Sequence, residues 1–481
     1  MSDMTPRPPR RPLVWPDAVY DLQEALSAFS APVYIVGGAV RDAYMGRPVH
    51  DLDFATLGNP IKIARHIADA FDGDVYVMDA ERGVARAMID RPDGRYVVDV
   101  AAFRGLDLLA DLTMRDFTFN AIAVHLQGDL TQIIDPLDGG TDLFDKVLRQ
   151  CSDSTFRDDP LRVLRAIRQS VQFSARIEPR TLAGLRLSVE SLPVVSAERL
   201  RDEFFKILSL PRASQALRVA SRLGVLEAIV PELFPLRDVP SPTGGDMWDA
   251  TLFALDKMQA ILKTISPQRT DLTASVFDLG MMVMALDYFR PKLQAHITAM
   301  WPDDRSHAAL LSFAALYYLT ATPHTELDAV EMIGRRARAL RLSADEIRRL
   351  RLLVGAYRQP LQTPVDDLSV HRFWHRYGEV GVDLCLLAMA AHLAEQGVEL
   401  DQDEWIALLE RLRVLLFAYY ERYEEIVAPP PLLSGADLIE ALALAPGKQI
   451  GQLLDVIREA QVTGEVSTRD AALALARGLI D

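Results

Sequence analysis

The sequence is poor in cysteine and in long apolar runs. Only Cys151 and Cys385 occur among 481 residues, and they lie too far apart to form a C-x-x-C motif. This excludes a zinc knuckle, a redox pair or a disulfide framework and predicts two inert, mostly buried thiols. The longest apolar runs, 310–320 and 384–394, fall short of the roughly 18 residues that a membrane-spanning helix needs. We therefore expect no membrane span.

The amino terminus also lacks a secretory signal. Residues 1–15 contain several arginines and prolines, but no apolar segment follows them. We expect a proline-rich, flexible arm and a cytoplasmic protein.

The composition is that of a folded globular protein. Apolar residues make up 49% of the chain and charged residues 25%, and the length predicts about three domains. The net charge of -15 argues against nonspecific DNA coating, because the overall field repels a polyphosphate. It does not exclude a nucleic-acid partner, because arginines can gather on one face.

The pattern of apolar residues changes along the chain. Short β-rich runs alternate with helical stretches from Val33 to about Gln150, whereas long amphipathic segments follow Phe156. We predict an α+β protein: an N-terminal mixed α/β head followed by all-helical neck, body and tail domains. The predicted parts are an arm with a first helix (1–32), the head (33–150), the neck (151–240), the body (241–428) and the tail (429–481).

Residues 34–56 contain the strongest local signals. A strand runs into Gly37 and Gly38, and a helix with Arg41 in its first turn follows. Glycine lets a phosphate approach the backbone, and a helix start offers free N–H groups, so the segment predicts a triphosphate cradle. A tight strand-to-helix turn would explain the glycine pair equally simply.

Two carboxylates follow in a strand. Asp51 and Asp53 flank Leu52, and the period of two places both on one face. Their repulsion is offset by a bound cation, and oxygen ligands of this kind suit Mg²⁺. Asp99, in another predicted strand, is a third candidate, as general base or metal ligand. The alternatives are a solvated pair on an edge strand and an outward-facing acid.

Five motifs together resemble the bacterial tRNA nucleotidyltransferase and poly(A) polymerase family, of class II of the polymerase-beta-like nucleotidyltransferases. They are GGAVRD at 37–42, D-x-D at 51–53, RDFTFNAIA at 115–123, DPLDGG at 135–140 and RDDPLRVLRAIR at 157–168. Residues 432–466 are also similar to the carboxy-terminal tRNA-binding end of such enzymes. The resemblance therefore spans nearly the whole chain.

The resemblance implies roles for individual residues. Asp51 and Asp53 would hold the catalytic Mg²⁺, and Arg115 would meet the triphosphate. Gly38 and Arg41 would contact the nucleotide. The residues expected to select the base or complete its binding motif are Asp159, Arg162, Arg165 and Arg168.

Elementary chemistry agrees with the last of these roles. In 157–168 the apolar residues share one helical face, and the polar residues, spaced by three, wind around the adjacent side. Aspartate only accepts and arginine only donates, so Asp159 and Arg162 could match the edge of cytosine or adenine. Pro160 just inside the expected helix start suits Asp159 as its cap. A solvated basic face is the alternative.

Two substitutions depart from the family pattern. Met114 stands where many relatives carry a second arginine, which removes a phosphate contact. Asp158 stands where glutamate is usual, which shortens a side chain near the base. Some relatives also carry a metal-dependent phosphohydrolase domain with histidine ligands. The corresponding region near 247–258 contains no histidine, so we predict no phosphohydrolase activity.

Residues 334–353 concentrate seven arginines, and Ser343 with Glu346 predicts a capping box at the start of a second helix. This hairpin either contacts the tRNA backbone or forms a solvated face.

We therefore predict template-independent addition of C and A to the 3′ end of tRNA from CTP and ATP, with in-line attack by the RNA 3′ hydroxyl on the α-phosphate. A poly(A) polymerase and a partial enzyme that adds only C or only A share these motifs. A catalytically silent RNA-binding protein and a small-molecule nucleotidyltransferase are alternatives from other classes. The sequence does not indicate an oligomeric state.

Overall fold

The computed structural model describes residues 4–242, 244–266, 277–300, 305–318, 328–397 and 400–480. The chain divides into two compact units. Unit 1 contains residues 1–196 and 222–228, and unit 2 contains 197–221 and 229–481. A mixed sheet lies in unit 1, and helices make up nearly all the regular structure of unit 2, which confirms the predicted α+β class. The five-part division predicted above stays a prediction.

Six strands form the sheet of unit 1, in the order β3-β4-β5-β2-β1-β6. Only β2 and β5 run parallel to each other, and the other neighbours are antiparallel. The strands β7 and β8 pair in parallel and form a separate, two-stranded sheet. The strands are β1 (Val33–Val36), β2 (Asp51–Thr56), β3 (Asp74–Asp79), β4 (Val84–Arg91), β5 (Gly94–Ala102), β6 (Ala123–His125), β7 (Val147–Leu148) and β8 (Arg176–Ile177).

Eight helices accompany these strands. They are α1 (Asp17–Ala25), α2 (Gly38–Tyr44), α3 (Pro60–Phe71), α4 (Leu108–Thr113), α5 (Gly139–Phe144), α6 (Thr155–Asp158), α7 (Arg162–Gln172) and α8 (Pro179–Ser188). The helix α3 begins at a proline and is capped by Asn59, whose side chain accepts from the Lys62 N–H. Its buried face, with Ile63 and Ile67 fully enclosed, packs on β4 and β5.

In the described residues from 197 onward, the regular structure is helical. The helices are α9 (Ala197–Leu208), α10 (Ala213–Arg222), α11 (Leu226–Ile229), α12 (Met247–Ile265), α13 (Phe277–Leu286), α14 (Arg290–Thr298), α15 (His307–Ala315), α16 (Ala329–Ala339), α17 (Ala344–Ala356), α18 (Gln359–Gln362), α19 (Asp367–Tyr377), α20 (Val380–Glu395), α21 (Gln402–Glu421), α22 (Gly435–Leu442), α23 (Lys448–Val462) and α24 (Arg469–Gly478). The last three enclose an apolar cluster of their own, centred on Leu438, Leu453 and Ala472.

The amino-terminal arm is attached to unit 1, so the expectation of a flexible arm is wrong for the residues that the structure describes. Arg7 exchanges two backbone hydrogen bonds with Ile133, of 2.9 and 2.8 Å. Its guanidinium also pairs with Asp135 and Asp138 at 3.3 and 3.1 Å. Trp15 is buried and donates to the Leu130 carbonyl at 3.0 Å. Composition alone could not reveal these partners, which lie more than 100 residues away.

The helix of the motif 157–168 begins later than predicted. Asp159 is extended (φ -151°, ψ 100°) and separates α6 from α7, which begins at Arg162. The Asp159 side chain accepts a hydrogen bond from the Leu161 N–H at 3.3 Å, just before α7. The extended backbone of Asp159, which Pro160 favours, interrupts the helix at this point. The predicted apolar face is present: Leu161, Leu164 and Ile167 are all buried.

The capping box at Ser343 and Glu346 is confirmed at the start of α17. Several arginines of the predicted hairpin are paired within unit 2, such as Arg336 with Glu232 at 2.6 Å and Arg335 with Glu331 at 3.1 Å. Much of the positive charge of this hairpin is therefore neutralised by nearby carboxylates. This favours a structural role for the hairpin over a surface whose arginines are all available to bind RNA.

Within the described residues, no single helix is both long and apolar enough to cross a membrane. One pair, Asp367–Tyr377 and Val380–Glu395, meets that test only when the two helices are joined, and they meet at a bend of 106°.

Prediction for the DPLDGG motif. Gly139 begins α5, and a Cβ atom there would lie 2.0 Å from the Thr118 carbonyl oxygen. We expect Gly139→Ala to destabilise unit 1 by about 1–3 kcal/mol, because that backbone has to move. Gly451→Ala is the control: it lies in α23 with open space around it, and we expect it to stabilise by about 0.5–1 kcal/mol. Urea unfolding followed by circular dichroism measures both, and equal midpoints would contradict the packing described.

Candidate active site

The predicted carboxylate pair lies as expected on one face of β2. Leu52 and Phe54 are buried at 1% exposure, whereas Asp51 and Asp53 on the opposite face reach solvent. The alternation follows from the pleat of the strand, which sends successive side chains to opposite faces. The period-of-two interpretation is confirmed by this placement.

The register of the sheet adds Asp99 to the pair. Strands β2 and β5 run parallel with Asp53 directly beside Asp99. Asp99 is also opposite Arg86 of β4, and the two form a bidentate ion pair with N–O distances of 2.7 and 2.9 Å. Both Asp99 oxygens therefore already accept hydrogen bonds. Its predicted catalytic role stays a prediction, and Arg86 fixes its orientation.

Gly37 is required at the end of β1. It has a φ of +75°, and a Cβ atom there would lie 3.1 Å from the Asp53 carboxylate and 3.0 Å from the Arg115 guanidinium. Only glycine adopts this conformation easily and also leaves that space open. The Gly37-Gly38 turn thus lies against both the acidic pair and the predicted phosphate-binding cation.

Arg115 is positioned by a residue that the sequence analysis missed. Asp111, on α4 and only 2% exposed in its side chain, accepts from Arg115 Nε and Nη2 at 3.1 and 2.9 Å. The same carboxylate accepts from the backbone N–H of Arg104 at 3.1 Å. The i, i+4 spacing of Asp111 and Arg115 is a signal from which this pair could have been found.

A cationic cluster stands beside the carboxylates. Burial lowers the pKa of Arg104, and the positive charges of Arg115 and Arg162 lower it further. Within the part of the chain that the structure describes, the Arg104 side chain forms no ion pair. Asp111 and Asp116 offset part of this effect, and a bound anion would offset more of the repulsion among the three cations. The sequence analysis did not single out Arg104.

The acidic side of the site is also electrostatically unbalanced. Partial burial raises the pKa of Asp53, the negative charges of Asp99 and Asp51 raise it further, and Arg115 opposes the change. Although Asp53 contacts solvent, protein atoms crowd the carboxylate and the neighbouring acids repel its charge. A divalent cation would relieve this repulsion, and paired oxygens on one strand face are suitable ligands for Mg²⁺.

The residue after Arg115 joins this site to α7. Asp116 is buried and accepts from Arg165 Nε and Nη2 at 2.8 and 2.6 Å, from Asn120 at 2.9 Å and from the Phe117 N–H at 2.8 Å. Burial alone would raise the pKa of Asp116, but Arg165 and these donors hold it far below its usual range. Arg165 therefore contacts protein here, and its predicted nucleotide contact stays a prediction.

Arg41 is tied into the same network. Asn120 accepts from Arg41 Nη1 at 2.6 Å, and Asp42 accepts from the same guanidinium at 2.8 and 3.0 Å. The ring of Phe173 lies 4.6 Å from it. Arg41 and Arg165, from two separate motifs, are thus joined through Asn120 and Asp116.

Arg162 is buried and donates to three backbone carbonyls. They belong to Met114, Thr155 and Arg115, at 2.8, 3.1 and 3.4 Å. A guanidinium carries five N–H groups and these contacts use at most three, so donors remain for a base edge. Met114 therefore contributes its carbonyl to the position of Arg162, although its side chain cannot bind a phosphate.

The other residues of this motif lie at its surface. The Asp158 carboxylate accepts from the Ser154 hydroxyl at 2.7 Å, and Arg168 donates to Gln172 at 2.9 Å. Asp159 lies three positions before Arg162 at the break between α6 and α7. The predicted base contacts of Asp159, Arg162 and Arg168 remain predictions.

Comparison with known proteins gives consistent relatives. Three family profiles match: "Poly A polymerase head domain" at 33–149, "Probable RNA and SrmB- binding site of polymerase A" at 176–236, and "tRNA nucleotidyltransferase domain 2 putative" at 324–476. The chain is 31% identical over 443 residues to the CC-adding tRNA nucleotidyltransferase of Geobacter sulfurreducens, covering 91% of this chain and 90% of that protein.

Two further matches support the same grouping. The A-adding tRNA nucleotidyltransferase of Deinococcus radiodurans is 31% identical and covers 93% of this chain and 96% of its own length. The solved structure of the Thermotoga maritima CCA-adding enzyme with tRNA_CCA is 21% identical, with a TM-score of 0.55, and covers 97% of this chain and 95% of that one. At 21% identity, the match to the Thermotoga maritima structure shows a shared fold alone.

Prediction for the cationic cluster. We expect Arg104→Gln to raise the KM for CTP about tenfold or more, because a charged contact to a phosphate is lost. Arg82→Gln removes the same charge from a loop of unit 1 where the side chain is 86% exposed, and it should leave KM unchanged. Steady-state kinetics on both variants would contradict the assignment if they behaved alike.

Prediction for the Asp116 network. Because the pKa of Asp116 is held low, its ion pair stabilises unit 1 above the usual aspartate pKa of about 4 and loses this effect as the pH falls. We expect Arg165→Gln to cost about 2 kcal/mol at neutral pH, with the gap to the unaltered protein closing in acid. The control is Arg95→Gln, at a half-exposed arginine whose ion pairs with Asp74 and Asp90, at 3.6 and 3.8 Å, are solvent-screened and should contribute little. A gap that stayed constant with pH in urea unfolding would contradict the network.

Proposed function

The chain belongs to the tRNA nucleotidyltransferase family, as the sequence motifs predicted, and we propose that it adds C and A residues to the 3′ end of tRNA from CTP and ATP. The observation that carries the proposal is the placement of Asp51, Asp53 and Asp99 on one sheet face beside the cations Arg104 and Arg115. A nucleotidyl-transfer site needs carboxylates that bind a metal ion and, beside them, cationic side chains that bind the triphosphate.

In this proposal Asp51 and Asp53 hold Mg²⁺. The bound ion supplies charge neutralisation on the triphosphate and acidifies the RNA 3′ hydroxyl. Asp111 keeps the Arg115 guanidinium directed along the Gly37 turn, where it would bind the phosphates together with Arg104. The oxygen of the RNA 3′ hydroxyl would form a bond to the α-phosphorus, and its proton would pass to solvent. The bond from that phosphorus to the oxygen bridging it to the β-phosphate would break, and pyrophosphate would leave.

We assign base selection to the segment from Asp159 to Arg162, where α7 begins. Asp159 would accept from the amino group of cytosine or adenine, and Arg162 would donate to the neighbouring ring nitrogen or carbonyl. Three backbone carbonyls hold Arg162, so its remaining donors have a fixed direction. Such a fixed pair reads a base without a nucleic-acid template.

A partial reaction is the second candidate. The relatives from Geobacter sulfurreducens and Deinococcus radiodurans each match more than nine-tenths of this chain, and each is named for one part of the reaction, the first CC-adding and the second A-adding. Their names favour a chain that adds only C or only A. The nucleotide chemistry would be unchanged, and only the range of products would differ.

Prediction for the carboxylates. We expect Asp53→Asn to reduce nucleotide incorporation at least about 1,000-fold, because a metal ligand is lost. The same change should leave unit 1 as stable or more stable, since it removes a charge that Asp51 and Asp99 repel. Asp90→Asn, whose side chain is 81% exposed on β4, is the control and should keep full activity. Unchanged incorporation by Asp53→Asn would sink the enzyme assignment at this site, and lost tRNA affinity would indicate a binding role.

Prediction for the product range. Purified protein with Mg²⁺ is given tRNAs that end before, within or after the terminal C-C-A, with CTP and ATP supplied separately and together. Addition of C, C and A followed by a stop is the expected result. A stop after C-C, or A added only to a C-C end, would establish the partial enzyme. Unlimited addition of A to varied RNAs would indicate a poly(A) polymerase. If the protein modified an aminoglycoside-like alcohol in a parallel reaction and left RNA unchanged, it would be a small-molecule nucleotidyltransferase.

A further inference from the structure

Unit 2 contains a cluster of metal-binding side chains far from the Asp51–Asp53 pair in sequence. His296 on α14, His307 at the start of α15 and Glu379 just before α20 each direct one ligand atom toward the others, and these atoms lie within 4.8 Å of one another. Asp383 and Arg349 complete what we call the His296 cluster. No motif in the sequence connects residues so widely spaced.

The geometry matches a metal site with nitrogen and oxygen ligands. His296 Nδ1 lies 3.4 Å from a Glu379 oxygen. Ligands that bind zinc tetrahedrally at about 2.0–2.1 Å lie about 3.3–3.4 Å apart, so this pair is already at the required separation. The ring of His307 stands edge-on to that of His296, with centroids 5.0 Å apart, and one of its nitrogens lies within 4.8 Å of the ligand atoms of His296 and Glu379.

A supporting carboxylate orients His296. Its other ring nitrogen, Nε2, lies 2.7 Å from an Asp383 oxygen, and the second Asp383 oxygen accepts from Arg349 Nε. A histidine that binds a metal typically donates its opposite N–H to such a carboxylate, which fixes the ring and leaves the first nitrogen for the metal. Asp383 and Arg349 are buried and therefore hold this orientation firmly.

The charge of the cluster suits a divalent cation. Glu379 and Asp383 contribute two negative charges and Arg349 one positive charge, so neutral imidazoles leave a net charge of -1.

We propose that His296, His307 and Glu379 form a structural site for Zn²⁺ or a similar borderline divalent metal ion, which cross-links α14, α15 and the start of α20. Two imidazoles and one carboxylate are the donor set that such ions prefer, whereas Mg²⁺ prefers oxygen ligands alone. The site is therefore distinct in chemistry from the Asp51–Asp53 pair. It does not depend on the proposed function and does not imply phosphohydrolase activity.

Cobalt titration of the full chain tests the site. Co²⁺ replaces zinc and absorbs visible light strongly in a tetrahedral site but weakly in an octahedral oxygen site. The titration is run in excess Mg²⁺, which occupies the oxygen sites. We expect one equivalent of Co²⁺ to give the strong absorption, Zn²⁺ to displace it, and Zn²⁺ to raise the melting temperature of the protein.

Two variants and one control make the result decisive. His307→Gln should abolish the strong absorption, and Glu379→Gln, at a half-exposed position, should weaken Co²⁺ binding about 10- to 100-fold. Glu410→Gln alters a comparable surface acid paired with Arg413 and should bind Co²⁺ like the unaltered protein. Circular dichroism confirms folding, and if His307→Gln does not fold, Glu379→Gln decides.

Three results would overturn the proposal. They are weak, octahedral absorption only; strong absorption that survives unchanged in both variants; and no binding beyond that displaced by Mg²⁺. Each would leave the His296 cluster as an ionic network that binds no metal.

Discussion

The arrangement of unit 1 depends on the buried carboxylate of Asp116. A charge in this position is costly unless it is paired, and Arg165, Asn120 and the Phe117 N–H all donate to it. The contact fixes α7 against the loop that follows α4. Because Arg115 precedes Asp116 directly, the same loop also fixes the cation nearest the acidic pair. Phosphate binding and base selection are thus linked by two adjacent residues.

The second constraint is the register of the sheet. The parallel pairing of β2 with β5 sets Asp53 beside Asp99, and the antiparallel pairing of β4 sets Arg86 against Asp99. The result is an acidic face that carries excess negative charge, next to Arg104 and its neighbours, which carry excess positive charge. In a Mg²⁺–nucleotide complex, the positive metal ion would face the carboxylates and the negative triphosphate would face the arginines. This charge complementarity is why the proposed reaction suits the site.

The sequence predicted the features that depend on local spacing. The period of two placed Asp51 and Asp53 correctly, the capping box at Ser343 was found, and the motifs identified the family. Features that depend on distant partners were missed. Folding brings Arg104 close to Arg115, and it brings Arg7 into contact with residues more than 100 positions away. The His296 cluster likewise brings together residues from three helices. No spacing rule encodes such contacts.

Arg165 shows that a motif does not reveal the contacts that a residue makes within the protein. The resemblance assigned it to nucleotide binding, and the structure shows its guanidinium on Asp116, which is a positioning contact. Its nucleotide contact stays a prediction. The prediction for Arg162 differs, because its contacts leave some of its donors unused.

The most direct test of the central claim is a crystal structure of the full chain with Mg²⁺ and a non-hydrolysable CTP analogue. The account predicts the triphosphate between the Asp51–Asp53 pair and the Arg104–Arg115 cations, with the cytosine edge against Asp159 and Arg162. The measurement is the distance from the α-phosphate to the Asp53 carboxylate, bridged by one metal ion. A nucleotide bound elsewhere, or a triphosphate that touches neither the acids nor the arginines, would contradict the account.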